Sequence, residues 1–126
     1  MFKDSNAFGS YSVDDIPAAR EFYENVLGLE VTEHSGNLTL HFAGGSRVLI
    51  YPKGAAHRPA NFTVLMLPVD DIDASVAALK AKGVTFNQYD NEFVKTDADG
   101  IDRGDLSNAW FNDPAGNTIA VMSGWM

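Results

Sequence analysis

One short motif occurs twice in this sequence, and the residues that follow it also correspond. Val13-Asp14-Asp15-Ile16 is repeated 56 residues later as Val69-Asp70-Asp71-Ile72. After each copy the apolar residues take helical spacing, and each of these stretches ends at a glycine, Gly28 or Gly83. A four-residue match that arose by chance would rarely be followed at both places by a helical pattern and a glycine. We therefore interpret the chain as two copies of one supersecondary unit.

Each copy of the motif is predicted to begin a helix, the first from about Ile16 to Leu27 and the second from Ile72 to Lys82. Asp15 is a suitable N-cap because its carboxylate can accept a backbone N–H of the first turn, and Pro17 fits that turn because it needs no N–H there. Apolar residues recur along one face, so each helix has one side to bury. In the first helix these are Ala19, Phe22, Tyr23, Val26 and Leu27, and in the second Ile72, Val76 and Leu79.

Short segments of strand-forming residues surround both helices. The predicted strands are Ala7–Val13, Leu29–His34, Asn37–Phe42 and Arg47–Tyr51, then Phe62–Val69, Val84–Tyr89 and a closing hairpin. The pattern predicts an α+β fold of two βαβββ modules with mixed sheets, helices on the outer faces and a concave cleft. We expect one domain over residues 1–126, with module one at about 1–52, a linker at 53–61 and module two at about 62–126.

The closing hairpin is predicted from its turn, Asp113-Pro114-Ala115-Gly116-Asn117. Pro114 fixes φ at the second turn position, and the Asp113 side chain can accept the backbone N–H two residues on. Gly116 supplies a positive φ at no steric cost. Aromatic and β-branched residues on either side, Trp110-Phe111 and Thr118-Ile119, favour antiparallel strands.

Composition excludes several classes of function. The sequence has no cysteine, which excludes disulfides, thiolate metal sites and cysteine nucleophiles. Its net charge of −8 argues against binding to nucleic acid or anionic membranes, and it would suit a cationic partner. No apolar signal segment or membrane span is apparent, so we expect a cytoplasmic protein.

The motifs together resemble the vicinal oxygen chelate superfamily, which includes glyoxalase I, extradiol dioxygenases and bleomycin-resistance proteins. The resemblance rests on Val13-x-Asp15-Ile16 with Leu27-Gly28-Leu29, on Val69-x-Asp71-Ile72 with Gly83-Val84, and on Trp110-Phe111-x-Asp113-Pro114-x-Gly116-Asn117. It spans nearly the whole chain. It implies a ligand-binding cleft between modules and pairing of two chains, so we expect a homodimer.

In metal-dependent members of this superfamily, four strands each supply a His, Glu or Gln to one divalent cation. Counting from the motifs, the corresponding positions here are Phe8, Leu49, Val64 and Ala120. None offers the oxygen or imidazole nitrogen that such a cation needs, and the adjacent residues do not supply it either. We therefore predict no metal and no other cofactor.

Strand alternation predicts which side chains face the cleft. The predicted ligand-binding residues are Phe8, Ser10, Ser12, His41, Arg47, Leu49 and Tyr51 in module one, and Phe62, Val64, Met66, Trp110, Ala120 and Met122, with Thr118 beside them, in module two. His41 and Tyr51 are weak candidates for acid–base catalysis, with Glu33 and Asp102 as further neighbours of His41. We expect His34 and His57 to be solvated. Residues 90–106 form either a mobile acidic lid or a solvated loop.

Two functions remain open at this point. The first is a metal-independent small-molecule binding protein of the bleomycin-resistance type, whose ligand is apolar or aromatic; the acidic net charge would suit a cationic one. The second is a lyase, isomerase or dioxygenase with an unusual or absent metal site.

Overall fold

The computed structural model describes residues 1–125 and divides the chain into two compact units. The first is Met1–Arg58, and the second begins at Pro59. The boundary lies within residues 53–61, the segment that resembles a linker. Each unit contains one four-stranded mixed sheet and one α-helix, which confirms the predicted α+β class and the two modules.

The first unit orders its sheet as β1-β4-β3-β2. Its elements are β1 (Gly9–Val13), α1 (Ile16–Glu21), β2 (Glu30–His34), β3 (Asn37–His41) and β4 (Arg47–Pro52). Strand β1 is parallel to β4, and the other pairs are antiparallel. Helix α1 packs on β3, and the residues between them, Val13, Tyr23, Leu38, Leu40 and Ile50, are completely buried.

The first helix differs from the prediction in its second half. After α1 the backbone widens into a π-helical segment, Phe22–Val26, in which Leu27 N–H donates to the carbonyl of Phe22. The wider turn accompanies the burial of Tyr23, whose hydroxyl lies 2.7 Å from that of Tyr11. The helix still ends where predicted, at Gly28, which has a φ of 71°.

The second unit has the same arrangement, with its sheet ordered β5-β8-β7-β6. Its elements are β5 (Thr63–Pro68), α2 (Ile72–Ala81), β6 (Ile101–Asp102), β7 (Ser107–Asn112) and β8 (Thr118–Ser123). Strand β5 is parallel to β8, and the others are antiparallel. Helix α2 packs on β7 and β8 over a core that includes Val76, Ala109, Phe111 and Ile119.

The predicted strand Val84–Tyr89 is wrong. Only Phe86 forms a bridge there, opposite Phe111, and its buried ring packs edge-on against that partner. Three residues further on, the backbone N–H of Tyr89 donates to the hydroxyl of Thr96 instead of to a neighbouring strand. The fourth strand of this sheet is the two-residue β6, which lies inside the segment predicted to be a polar loop.

The repeated motif has the same role in both units. Asp15 accepts the backbone N–H of Ala18 at 3.0 Å, and Asp71 accepts that of Ala74 at 3.1 Å. Both carboxylates therefore cap the first turn of a helix, as the sequence predicts. No helix within residues 1–125 combines the length and apolar character that a membrane span requires.

Candidate functional site

The open face of the first sheet, the face turned away from α1, carries the residues that alternation places there. Strand register aligns Ser10 and Thr39 with Leu49, and aligns His41 with Arg47. The intervening residues Leu38 and Leu40 on β3, Tyr11 on β1 and Ile50 on β4 are buried. This face is therefore free of the core and available to a ligand.

A pocket of about 330 Å³ lies on this face. It is lined by Phe8, Thr39, His41, Arg47 and Leu49. The Phe8 ring is half exposed, and the Arg47 guanidinium lies over it with Cζ 5.0 Å from the ring centroid. The pocket thus combines an aromatic face and an aliphatic side chain with a cation and an imidazole.

Within residues 1–125, Arg47 differs from Arg20 and Arg103 because it forms no ion pair. Arg20 pairs with Glu24 and Glu33, and Arg103 pairs with Asp73 and Asp97. Across residues 1–125, no carboxylate lies within ion-pair distance of Arg47. Its guanidinium is therefore available to a bound molecule.

His41 contacts a neighbour that sequence reasoning did not identify. Its Nε2 lies 2.8 Å from the hydroxyl oxygen of Thr32 on β2. Of the expected neighbours, Glu33 turns to Arg20, with the two side chains 3.5 Å apart. Tyr51 lies four residues beyond Arg47 on β4 and does not line the pocket. The predicted acid–base cluster of His41, Glu33 and Tyr51 is therefore not assembled.

Ser12 and His57 form a contact that sequence reasoning missed. The Ser12 hydroxyl lies 2.8 Å from Nδ1 of His57, and His57 is buried, so the expectation that it is solvated is wrong. The backbone N–H of Lys53 donates to the carbonyl of Val13, and the 3₁₀ turn Gly54–Ala56 follows. The segment after β4 therefore folds back along β1 and brings the imidazole to Ser12. The hydroxyl stabilises this segment and is engaged before any ligand binds.

The open face of the second sheet is occupied by its own side chains. Met66 and Trp110 are both in register with Ala120, and both Ala120 and Met122 are buried. The indole N–H of Trp110 donates to the hydroxyl of Thr63 at 3.2 Å. Its ring also packs edge-on against Tyr89, with the two centroids 5.5 Å apart.

Strand β5 departs from the simple alternation used for Phe62 and Val64. A register irregularity lies between Thr63 and Leu65, so Val64 is the extra residue and Thr63 pairs with Thr118. Phe62 precedes the strand and is largely exposed. The bulge turns Thr63 toward Trp110, a position that alternation assigned to Val64.

The long acidic segment is attached to α2 by ion pairs. Asp97 accepts the backbone N–H groups of Asp99 and Ile101, and it also binds Arg103, whose guanidinium makes two hydrogen bonds to Asp73 on α2. The hydrogen bonds from Arg103 lower the pKa of both Asp73 and Asp97. The same bonds raise the pKa of Arg103. This part of residues 90–106 is therefore an anchored loop.

The positions that correspond to the superfamily's metal ligands do not fit a metal. Phe8, Leu49, Val64 and Ala120 carry no donor atom in their side chains. Among residues 1–125, no group of three or more His, Cys, Asp or Glu side chains could hold a metal ion. No chemical step is assigned to a metal here.

The sequence model of the Glyoxalase/Bleomycin resistance protein/Dioxygenase superfamily matches residues 8–121. The chain belongs to this superfamily. The resemblance drawn from the repeated motifs and the closing hairpin is thereby confirmed. A search of curated proteins finds no significant match.

Solved structures of the same fold cover nearly all of the chain. TnmS3, an antibiotic binding protein from Streptomyces sp. CB03234, is 22% identical with a TM-score of 0.69, and the match covers 98% of each chain. An integron cassette protein from V. cholerae is 26% identical with a TM-score of 0.63, again over 98% of each chain. Oxidase ChaP-H2 is 19% identical with a TM-score of 0.68, over 92% of this chain and 91% of its own.

Proposed function

We propose that this protein binds a small apolar or aromatic molecule on the open face of its first sheet, without a metal. The observation that carries the proposal is the pocket lined by Phe8, Thr39, His41, Arg47 and Leu49. Its volume of about 330 Å³ is within the range of small-molecule sites, and it suits one or two fused rings. A planar ligand can stack on Phe8 and contact Leu49 at little entropic cost.

The fold alone does not choose between binding and catalysis. Proteins with the same fold include one described as antibiotic binding and one described as an oxidase. The lining of the pocket supports binding. It has an aromatic ring and an aliphatic side chain where the superfamily's metal-dependent members place ligands, which favours recognition of a ligand's surface over polarisation of its oxygen atoms.

The charge of the pocket favours a neutral or anionic ligand over the cationic one that the net charge of −8 suggested. A cation 4 Å from Arg47 would be repelled by about 4 kcal/mol at an effective dielectric of about 20. Acidic groups on the protein surface act over longer distances and are screened within about 8 Å at physiological salt. The pocket lining contains Arg47 and no carboxylate, so this guanidinium outweighs the carboxylates that lie outside the lining.

Binding can be tested by isothermal titration with planar aromatic compounds in buffer that contains a metal chelator. We expect binding to persist with the chelator present. Phe8→Ala should weaken it about fivefold, because an aromatic contact contributes about 1 kcal/mol. Met66→Ala is the matched control, since Met66 is an exposed apolar residue on the second sheet. Binding that depends on added divalent metal, or that is unchanged in Phe8→Ala, would contradict the proposal.

A second candidate function is a metal-independent lyase or isomerase step with His41 as acid or base. The observation that favours it is the presence of His41 in the pocket lining, with Nε2 held by Thr32. Tyr51, the other candidate, lies outside the lining. If His41→Gln retains ligand affinity but abolishes turnover of a bound compound, the enzyme reading is correct; if no bound compound is turned over by the unaltered protein, binding is the function.

Our expectations for the compartment, the oligomeric state and the partners rest on the sequence and remain proposals. We expect the protein to be a cytoplasmic homodimer that binds neither nucleic acid nor membranes. Sedimentation velocity measures the oligomeric state directly, and a monomer at micromolar concentration would contradict the first of these.

A further inference from the structure

We propose that the ligand of the first unit carries an oxyanion, a carboxylate or a phosphate, which binds at the turn between β3 and β4. This inference rests on the proposed function and specifies the chemical class of the ligand. A second pocket, of about 480 Å³, lies at this turn. It is lined by Asn6, Ala7, Gly44, Gly45, Ser46 and Arg47. Arg47 lines both pockets, so one molecule can place a ring against Phe8 and an anion at the turn.

The donors at this turn suit an oxyanion. Arg47 offers five N–H groups in a planar fork that matches a carboxylate or phosphate, Asn6 offers an amide and Ser46 a hydroxyl. None of the six lining residues carries negative charge. A group of donors with a full positive charge and no carboxylate favours an anion over a cation or a second aromatic ring.

The backbone leaves room for this group. Gly44 and Gly45 have φ values of 77° and 84°, and a Cβ on either would contact no atom within 4 Å. The turn is closed by a single backbone hydrogen bond from Phe42 N–H to the Ser46 carbonyl, 2.9 Å long. The positive φ values favour glycine at both positions, and a Cβ on either would project into open space.

In the corresponding turn of the second unit, a carboxylate of the protein itself accepts the hydrogen bonds. Strand register matches the pair His41 and Arg47 with Asn112 and Thr118, so the turn Asp113–Asn117 is the counterpart of the glycine turn. There the Asp113 carboxylate accepts three hydrogen bonds from within the turn. Among residues 42–46 of the first unit no carboxylate has that role, so the polar groups that line this pocket are proposed to bind a ligand.

The test compares benzoate and phenyl phosphate with neutral benzamide, by following amide and methyl NMR shifts during titration. We expect both anions to bind about tenfold more tightly than benzamide and to shift the amides of Gly44, Gly45 and Arg47. Arg47→Gln should remove this preference, because it should lower the affinity for the two anions about tenfold more than the affinity for benzamide. Arg58→Gln is the control, because Arg58 is an exposed arginine of the same unit that donates only to backbone carbonyls.

The outcomes separate this inference from the proposed function. If benzamide binds as tightly as benzoate, or if Arg47→Gln leaves the preference intact, the oxyanion site is wrong while small-molecule binding stands. If none of the three compounds shifts the methyl signals of Leu49, both fail. Of the two anions, the one that binds more tightly identifies the oxyanion as carboxylate or phosphate.

Discussion

The two units share a strand order but differ on the open face of the sheet. In the first sheet, Thr39 is in register with Leu49, and the space above them is a pocket. In the second sheet the corresponding pair is Trp110 and Ala120, and the indole is hydrogen-bonded to Thr63. The small side chain of Thr39 leaves space for a ligand, whereas the large, hydrogen-bonded side chain of Trp110 occupies the corresponding space.

The comparison separates the features that both units share from those that differ between them. Both units keep the helix cap, since Asp15 and Asp71 bond equivalent N–H groups, and both bury one apolar face of a sheet under a helix. The open face is free of those requirements. It holds an unpaired Arg47 in one unit and an internally bonded Trp110 in the other, so we locate the function in the first unit.

The most severe test of this comparison transfers the second unit's side chain to the first. Thr39→Trp places an indole at the position that Trp110 has in the second sheet. We expect at least about a tenfold loss of affinity for aromatic ligands, because a tryptophan would take up much of the pocket. Titration calorimetry measures the loss. Tyr51→Trp, which places an indole on the neighbouring strand β4 outside the pocket, should bind nearly as the unaltered protein does. Equal affinity in both variants would contradict the location of the site.

A smaller effect is expected from the turns. Asp113→Ala removes the acceptor of two buried backbone N–H groups, those of Ala115 and Asn117, and should cost about 3 kcal/mol in the free energy of unfolding. Ser46→Ala, in the exposed counterpart, should change it by less than about 0.5 kcal/mol. Urea denaturation measures both. Similar costs in the two variants would show that the glycine turn is also a structural element.

The cores offer a third comparison. The first unit buries two hydroxyls, with Tyr11 donating to Tyr23 at 2.7 Å, while the second pairs the hydrocarbon rings of Phe86 and Phe111. Tyr11→Phe should destabilise the protein by about 1 kcal/mol, because it leaves the Tyr23 hydroxyl without this donor. A double-mutant cycle with Tyr23→Phe measures the coupling between the two hydroxyls. If the free-energy effects of the two substitutions add, the two hydroxyls are not coupled, and the tyrosine pair contributes only through its rings, as the Phe pair does.

The smallest effect concerns the anchored loop of the second unit. Hydrogen bonds from Arg103 lower the pKa of Asp73 and Asp97, so they stabilise the fold above the unfolded Asp pKa of about 3.9 and lose this effect as pH falls through the lower folded values. Arg103→Gln should therefore lower the Tm slightly at pH 7, and the deficit should vanish at low pH. Lys80→Gln, which breaks one 3.6 Å ion pair with Asp99, is the control. A deficit that is independent of pH would exclude the ionic explanation.

The features that sequence predicted well are local and repeated. Helix starts follow from Asp15 and Asp71, and the C-terminal turn follows from Asp113, whose carboxylate accepts the N–H two residues on, as expected. The residues of the first open face follow from alternation along β1 and β4. These outcomes depend on backbone chemistry within a few residues, which a sequence displays directly.

The wrong predictions concern features that depend on contacts between residues far apart in the sequence. The segment Val84–Tyr89 has strand-like residues, but its pairing with β7 is confined to the bridge between Phe86 and Phe111 and one hydrogen bond from Asn87 N–H to the Trp110 carbonyl. The bulge at Val64 and the burial of His57 against Ser12 both depend on segments that meet only in the fold. The net charge likewise suggested a cationic ligand, because a sum over the chain does not show that the pocket lining contains Arg47 and no carboxylate.

The most direct test is to measure intermolecular NOEs between the ring protons of bound benzoate and selectively labelled methyl groups. Leu49 and Ala120 occupy corresponding positions in the two sheets, so their methyls report on which open face holds the ligand. We predict strong NOEs to the Leu49 methyls and none to the Ala120 methyl. NOEs to Ala120 without NOEs to Leu49 would contradict the central claim that the first unit holds the ligand.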